Sequence, residues 1–298
     1  MKSLCIYEWK SWHDFLLPMI FPEATRLQAR PGETSSDVLE RLPSHIRTFL
    51  FHVNLTDTRR SPLRRSAFSR ALRARGIRIL NEHVTDISKH RVQDVCAEAG
   101  LNTTRATRAG DPHERLIVKT NANYAGEKEQ FLTPDLRRTL GLAPRNRWIR
   151  RHDEYLIQRR SEVNDAHWRS RQLIVERFIE NRRHVFYRVH KVGDRMIVSR
   201  MVNSAGIKKM LHHIPRTNWN LHLPSLEPVE GPRPAPVHVI QAAARFCSVF
   251  RVDAGSIDVL EDNQAECYVI DVNASPFWAE TRYDHMLRFL AGGLSSSP

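Results

Sequence analysis

The stretch VDAGSIDVLEDNQAECYVIDVNASP, residues 252–276, constrains this chain more than any other. Two runs, 255–262 and 266–275, flank the turn DNQA. Apolar residues alternate with polar ones along both, so the pattern predicts two strands joined by a tight connection. Asp258 lies on the first strand. Asp271 and Asn273 lie two apart on the second, and the period of two turns both to one face. Three hard oxygen donors on neighbouring strands suit Mg²⁺. An exposed hairpin meeting water also explains the alternation. It explains less well an acid and an amide followed at once by Ser-Pro, where the chain leaves the strand.

Elsewhere helices and strands alternate. IRTFLFHVNL (46–55) predicts a buried strand. Leu63, Ala67, Ala71 and Leu72 recur at helical spacing among arginines, and Gly76 ends that helix. IRIL (77–80) is then a short strand, and strand, helix, strand makes a small α/β unit. A helix is expected over Ser88–Ala99, a strand over 114–120, a loop over 121–129 and a strand over 171–179. Residues 184–193 and 195–202 predict a hairpin with Gly-Asp at its turn. Residues 133–170 are polar and carry no clear period. Residues 212–238 hold six prolines and read as loop, with His212 and His213 as loop histidines. Helices are expected over 237–250 and at the C-terminal end. There is no internal repeat.

Composition bounds the function. At 298 residues the chain suits two or three packed lobes. Cys5, Cys96, Cys247 and Cys267 are scattered, without a CxxC pair, which argues against a cysteine zinc site or a disulfide framework and for small buried apolar residues. No apolar run approaches the roughly 18 residues of a membrane helix. The first residues, broken by Glu8, Asp14 and Pro18, do not read as a signal peptide, so cytoplasm is the expected location. The net charge of +13 is spread along the chain, denser at 59–75 and 145–151. It reads as solvated helix faces or as attraction for an anionic substrate or nucleic acid. No GxxxxGK, GxGxxG, HExxH or GxSxG motif is present.

GSIDVLED and CYVIDVNASP resemble the metal-binding strands of ATP-grasp enzymes, the superfamily of D-alanine–D-alanine ligases, glutathione synthetases and the ligase that adds glutamate to ribosomal protein S6. The resemblance runs over about residues 79–290 and implies an α/β fold of three lobes with ATP between the second and third. The lobes would be 1–83, 84–177 and 178–298. By the resemblance, Asp258, Asp271 and Asn273 hold two magnesium ions. Lys89, Lys119 and Gly126 of the loop 121–127 attend the phosphates. Glu176, Phe178 and Ile179 hold adenine, and Arg188 and, more weakly, Arg200 face the transferring phosphate. The phosphate loop carries one glycine where many relatives have several. The ribose acid is not evident: Phe186 stands in its place, and Glu180 is the alternative.

The implied activity is a magnesium- and ATP-dependent carboxylate–amine ligase acting through an acyl phosphate. Its substrates would be small-molecule or peptide carboxylates and amines. No membrane partner is expected, nucleic acid is not the expected partner, and a homo-oligomer is left open. Two other readings are a kinase on the same fold and a nucleic-acid-binding protein with a degenerate ATP site.

Overall fold

The computed structural model describes residues 2–9, 15–30, 32–53, 55–130, 132–142, 149, 154–202, 216–222, 228–230, 236–278 and 284–294. In chain order the first elements are β1 (Leu4–Glu8), α1 (Leu16–Ile20), β2 (Thr25–Gln28), α2 (Ser35–Arg41), β3 (Thr48–Phe51), α3 (Arg65–Ala74), β4 (Arg78–Leu80) and α4 (Lys89–Glu98). Next come β5 (Arg115–Thr120), α5 (Glu127–Gln130), α6 (Pro134–Thr139), β6 (Leu156–Arg159), α7 (Asp165–Arg169) and β7 (Leu173–Arg177). The chain continues through β8 (Val185–Val192), β9 (Arg195–Val202), β10 (Arg216–His222), β11 (Pro228–Glu230), α8 (Val237–Phe250), β12 (Ala254–Glu261), β13 (Cys267–Asn273) and α9 (Asp284–Ala291).

The strands form three sheets. The first is parallel, in the order β2-β1-β3-β4. A parallel sheet needs cover on both faces. Cys5, Tyr7, Phe49 and Phe51 pack on one face with Val38 of α2 and Phe68 and Leu72 of α3. Leu4, Ile6 and Leu50 pack on the other with α1, α9 and Ile197 of β9. The arginines of α3 fall as its amphipathic pattern requires, with Arg70 and Arg73 exposed opposite buried Phe68 and Leu72.

The second sheet is antiparallel, β6-β5-β7, and the third is six-stranded, β11-β10-β9-β8-β12-β13. Helices α4 and α8 cover one face of the third sheet. In α8, Val239, Ile240, Ala243, Phe246, Cys247 and Phe250 form one buried stripe at helical spacing, and they meet Val92, Val95 and Cys96 of α4 and Ile257, Val259, Val269 and Val272 of the sheet. On the opposite face Val192, Ile197 and Ala254 pack against the first sheet and α9, and the rest borders the cleft described below. Cys5, Cys96 and Cys247 are buried and Cys267 is half-buried, all as free thiols. No helix among the described residues is long and apolar enough to cross a membrane.

One joint fixes the first sheet against the third, and a second fixes the third sheet against the segment that follows α9. At the end of β4, buried Asn81 adopts a left-handed φ of 56°. Its amide nitrogen donates to the Ala254 carbonyl at 2.7 Å. Its oxygen accepts from the Asp253 and Ala254 amides at 2.9 and 3.0 Å, and its own backbone N–H donates to the Asp253 carboxylate at 2.6 Å. The second joint is a close approach at the β8–β9 turn. A Cβ on Gly193 would fall 1.8 Å from the Gly293 carbonyl oxygen, so no side chain fits there.

Several expected elements are present within a few residues: β3, α3, β4, α4, β5, β7, the β8–β9 hairpin, α8, β12 and β13. The reading of 212–238 as loop is corrected, because 216–222 and 228–230 extend the third sheet at its edge. The first sheet also holds two strands, β1 and β2, that the local pattern did not reveal, and β6 forms inside the stretch without clear period. His212, His213, most of the basic run 145–151 and residues 280–283 lie outside the described residues.

Asn81→Ala should lower the unfolding free energy by about 3 kcal/mol, since two buried amides lose their acceptor and a side chain is held at positive φ. Asn81→Gly removes the bonds but relaxes the backbone, so it should recover roughly 1 kcal/mol of that loss. Urea titrations of the two variants measure both. Equal losses would show that the left-handed conformation carries no cost here.

Candidate functional site

Cross-strand register builds the polar wall of the cleft. Ser199, Arg188, Asp258 and Asp271 stand opposite one another across β9, β8, β12 and β13. Residues in direct cross-strand register project to the same face, so these four share one. Asn273 lies two residues past Asp271 on that face, opposite Ser256. The register shifts between Asp258 and Val259. That shift places Ile270, one residue early, at the cleft lining beside Asp271.

Arg188 grips Asp258 with two parallel bonds, Nε–Oδ1 at 2.8 Å and Nη2–Oδ2 at 3.0 Å. Burial acts to lower the Arg188 pKa, but the charge and hydrogen bonds of Asp258 outweigh it and the net shift is upward. Asp271 accepts from the Val272 N–H at 3.1 Å and Asn273 from the Ser275 N–H at 2.9 Å. Ser275 in turn donates to the His52 carbonyl, which ties the end of β13 to the first sheet.

The facing wall comes from the second sheet and from α4. Lys119 of β5 forms an ion pair with Glu176 of β7, which is fully buried and also accepts from the Thr104 hydroxyl. Lys89, 2% exposed, is the first residue of α4 behind the N-cap Ser88. Its ammonium donates to the Ala122 carbonyl at 2.7 Å. Burial pushes its pKa down to about 8, against the opposing pull of Glu176, Glu129 and Asp258. Past β7 the chain turns through Arg177, Phe178 and Ile179. The Phe178 N–H is taken by the Arg115 carbonyl at 2.9 Å, and the Arg115 guanidinium covers the Phe178 ring at 4.4 Å. The Ile179 N–H has no hydrogen-bond partner among the described residues.

Between these walls lies a cleft of about 630 Å³, counted to its open mouth. Its lining joins the apolar Ile117, Phe178, Ile179, Phe186, Leu260 and Ile270 to the charged Lys89, Lys119, Glu176 and Asp271. Beside Lys89, whose ammonium it accepts at Ala122, runs the loop 121–127. It carries three successive positive φ values, 46° at Tyr124, 57° at Ala125 and 73° at Gly126. Non-glycine residues rarely adopt such conformations, and they persist where surroundings enforce them. Here Asn121 bonds the Lys89 and His90 amides, and Thr56 accepts from the Asn123 N–H at 3.0 Å. Tyr124 lies near enough to Arg188 for the arginine to oppose the rise that burial imposes on its pKa.

Of the residues expected from sequence, Lys89, Lys119, Glu176, Phe178, Ile179 and Asp271 line this one cleft. Asp258 and Arg188 stand beside Asp271 in the same row. Gly126 is buried within its loop, where a Cβ would fall 3.2 Å from that of Ala122, and is not among the cleft-lining residues. Arg200 is set apart. It is in register with Tyr187, one residue out of step with Arg188, and so belongs to the opposite face. The Glu176 carboxylate is spent on Lys119 and Thr104. Phe186 packs with Met201 and Leu260, and Glu180 pairs with Arg115 at 2.8 Å near the surface. Sequence reasoning missed Thr104, Tyr155, Leu260 and Ile270. Leu260 was legible from its period of two with Asp258, whereas Tyr155 sits in the stretch without pattern.

Among the described residues no three His, Cys, Asp or Glu side chains gather as a metal site. An ion held by the described residues of this row would take a mixed donor set. Two facing carboxylates and an amide oxygen fit magnesium that keeps water or phosphate oxygens for its remaining positions. They do not fit zinc, which favours nitrogen and sulfur.

Comparison with solved structures gives the fold. N5-carboxyaminoimidazole synthetase from Staphylococcus aureus, complexed with ADP, superposes with a TM-score of 0.54 at 8% identity, over 99% of this chain and 71% of that one. A RiPP-associated ATP-grasp ligase from Chryseobacterium gregarium, in complex with ADP and a leader and core peptide, gives 0.52 at 12% identity over 100% and 98%. A RimK domain ATP-grasp protein from Sphaerobacter thermophilus gives 0.51 at 10% over 98% of each chain. The chain has the ATP-grasp fold. No known protein family matches its sequence, and no curated protein does.

The buried ammonium of Lys89 makes a prediction about stability. Its folded pKa of about 8 lies below the ordinary 10.5, so between those values the unfolded chain binds more protons and stability rises with pH. Below pH 8 the full cost of burying the charge is present, up to about 3 kcal/mol at 1.36 kcal/mol per unit. Lys89→Met should therefore stabilise the nucleotide-free protein at pH 7, by roughly 1–2 kcal/mol once the bond to Ala122 is subtracted. The gain should shrink by pH 10. A destabilised variant at pH 7 in chemical denaturation would sink this account.

Proposed function

We propose that the protein is an ATP-dependent carboxylate–amine ligase. The observation that carries this reading is the convergence of Lys89, Lys119, the 177–179 turn and Asp271, beside Asp258, on one cleft lined by both apolar and charged side chains. Such a lining suits a nucleotide, with a flat apolar base and a polyanionic tail. Structures with the same fold and ADP bound support the reading.

The base would lie between Ile117 and Phe178 on one side and Phe186, Leu260 and Ile270 on the other. The Ile179 N–H offers a donor to its edge. Glu176, whose carboxylate is already committed, would act by positioning Lys119. The phosphates would meet Lys89 and Lys119, with the loop 121–127 above them to exclude water. Asp258, Asp271 and Asn273 would hold Mg²⁺, which when bound supplies positive charge to the phosphate oxygens. Arg188 is placed by Asp258 to face the transferring phosphoryl group and stabilise its charge. Arg200, on the other face, has no such role.

A carboxylate resists attack by an amine because attack adds charge to oxygens already negative. Phosphorylation turns one oxygen into a leaving group, which divides the reaction into two easier steps. The test is ADP release with pairs of carboxylates and amines, the products read by mass spectrometry. Hydroxylamine should trap the activated acid as a hydroxamate when ATP and the carboxylate are present without the natural amine. AMP and pyrophosphate in place of ADP would show adenylation and overturn the mechanism. A phosphorylated product without an amide would show a kinase.

Asp271→Asn should reduce ADP formation by about 10³-fold or more, on the scale of losing charge that holds a catalytic metal, and should leave the melting temperature within a few degrees. Glu176→Gln should weaken ATP binding without altering preference for ATP over GTP. A selective loss of that preference would return Glu176 to the base edge.

A further inference from the structure

A second crevice opens at the carboxyl ends of the N-terminal parallel strands. It measures about 500 Å³ to its open mouth and shares no lining residue with the nucleotide cleft. The strand order β2-β1-β3-β4 sends the chain from β1 to one side and then back across to β3 on the other. Open parallel sheets bind ligands outside their carboxyl ends at such a switch point. Tyr7 and Trp9, at and after the end of β1, and Val53 and Leu55, after β3, stand on either side of it. With Leu63 and Leu140 they give the crevice an apolar wall.

Into that wall is set an arginine with no ion-pair partner among the described residues, although the charge of Glu82 acts on it from farther off. The Arg65 guanidinium donates to the carbonyls of Asn81 at 3.1 Å and Val84 at 2.6 Å and to the Thr58 hydroxyl at 3.1 Å. It also lies 4.2 Å from the centroid of the Phe51 ring. None of these partners is anionic, and no described carboxylate is within ion-pair distance. Burial pushes its pKa down to about 10, which leaves it a cation at neutral pH. The two acids of the lining, buried Glu33 and half-buried Asp57, are already committed. Glu33 accepts from the Tyr7 hydroxyl at 2.5 Å and the Arg30 N–H at 2.8 Å and pairs with Arg41 at 3.2 Å. Asp57 is held by Arg59 at 2.6 and 3.0 Å. Arg65 is also the first residue of α3, whose N-cap makes no side-chain bond and whose first turn holds no acid. The helix dipole adds to the positive potential there.

We propose that this crevice binds a small ligand with one oxyanion head, a carboxylate or a phosphate, and an apolar body. The head neutralises Arg65 at the start of α3. The body lies against Trp9, Val53, Leu55 and Leu140. The site is separate from the nucleotide cleft and stands whether or not the ligase reading holds.

The test is titration of the full chain with three probes of similar bulk: 3-phenylpropionate, phenyl phosphate and 3-phenylpropan-1-ol, followed by calorimetry and ligand-observed NMR. At least one anion should bind and the alcohol should not. Which anion binds identifies the head group. Arg65→Leu should weaken that binding by about tenfold or more, the scale of a lost charged hydrogen bond. Because Arg65 also braces three backbone and side-chain oxygens, Ser61→Trp supplies a second variant that fills the crevice from its lining and keeps the arginine. It should abolish anion binding and leave the rise in melting temperature with ATP unchanged. No anion binding at roughly 10 mM, equal binding of the alcohol, or unaltered binding to Ser61→Trp would each overturn the proposal.

Discussion

The bidentate pair between Arg188 and Asp258 sets the phase of the third sheet and, with it, the polar row that ends in Asp271. Strand pairing has a period of two, so a slip of one residue in β8 or β12 would send either side chain into the apolar face under α4 and α8. Next to the pair that face holds Val189, Ile257 and Val259, all fully buried, so a charge sent among them would lose its water. The apolar packing against the helices and the charge pairing in the cleft therefore enforce the same register from opposite sides of one sheet. Arg200 shows the converse. One residue out of phase with Arg188, it stands with Tyr187 and away from the row that ends in Asp271.

The same logic explains what could be read in the sequence. Asp258, Asp271 and Asn273 were legible because alternation in β12 and β13 is a local signal, and adjacent strands turned a local signal into a shared face. Lys89 and Lys119 carry almost no signal alone, and only their order relative to the paired strands drew them out. The apolar residues of the lining were harder. Ile270 enters the lining through a register shift that the sequence does not announce, and Tyr155 lies in a stretch without period. The partnership of Glu176 with Lys119 and Thr104 was also hidden. It needs β5 and β7 to be neighbours and the 104 segment to cross beside them, a matter of topology more than of pattern. The first sheet was only half legible for a similar reason. Strands β1 and β2 are short, and their pairing is fixed by partners that lie far apart in sequence.

A cation withdrawn from water in the cleft has consequences for stability. Lys89 is buried with a depressed pKa, and Tyr124 and Ala125 hold left-handed conformations over the same space. Both features cost free energy in the protein without a ligand, and neither is explained by packing alone. A polyanion would reverse the first cost by supplying the counter-charge that burial removed, and contacts with the loop would offset the second. On the proposed ligase reading, binding energy would be directed to pre-formed positive charge, which needs no reorganisation at the moment of reaction. The expected signature is a trade between stability and activity. Substitutions that neutralise Lys89 should make a sturdier protein that binds nucleotide worse, while substitutions at Asn81 should loosen the joint between sheets and leave the charges of the cleft in place. These opposite outcomes separate residues that build the frame from residues that the frame holds under strain.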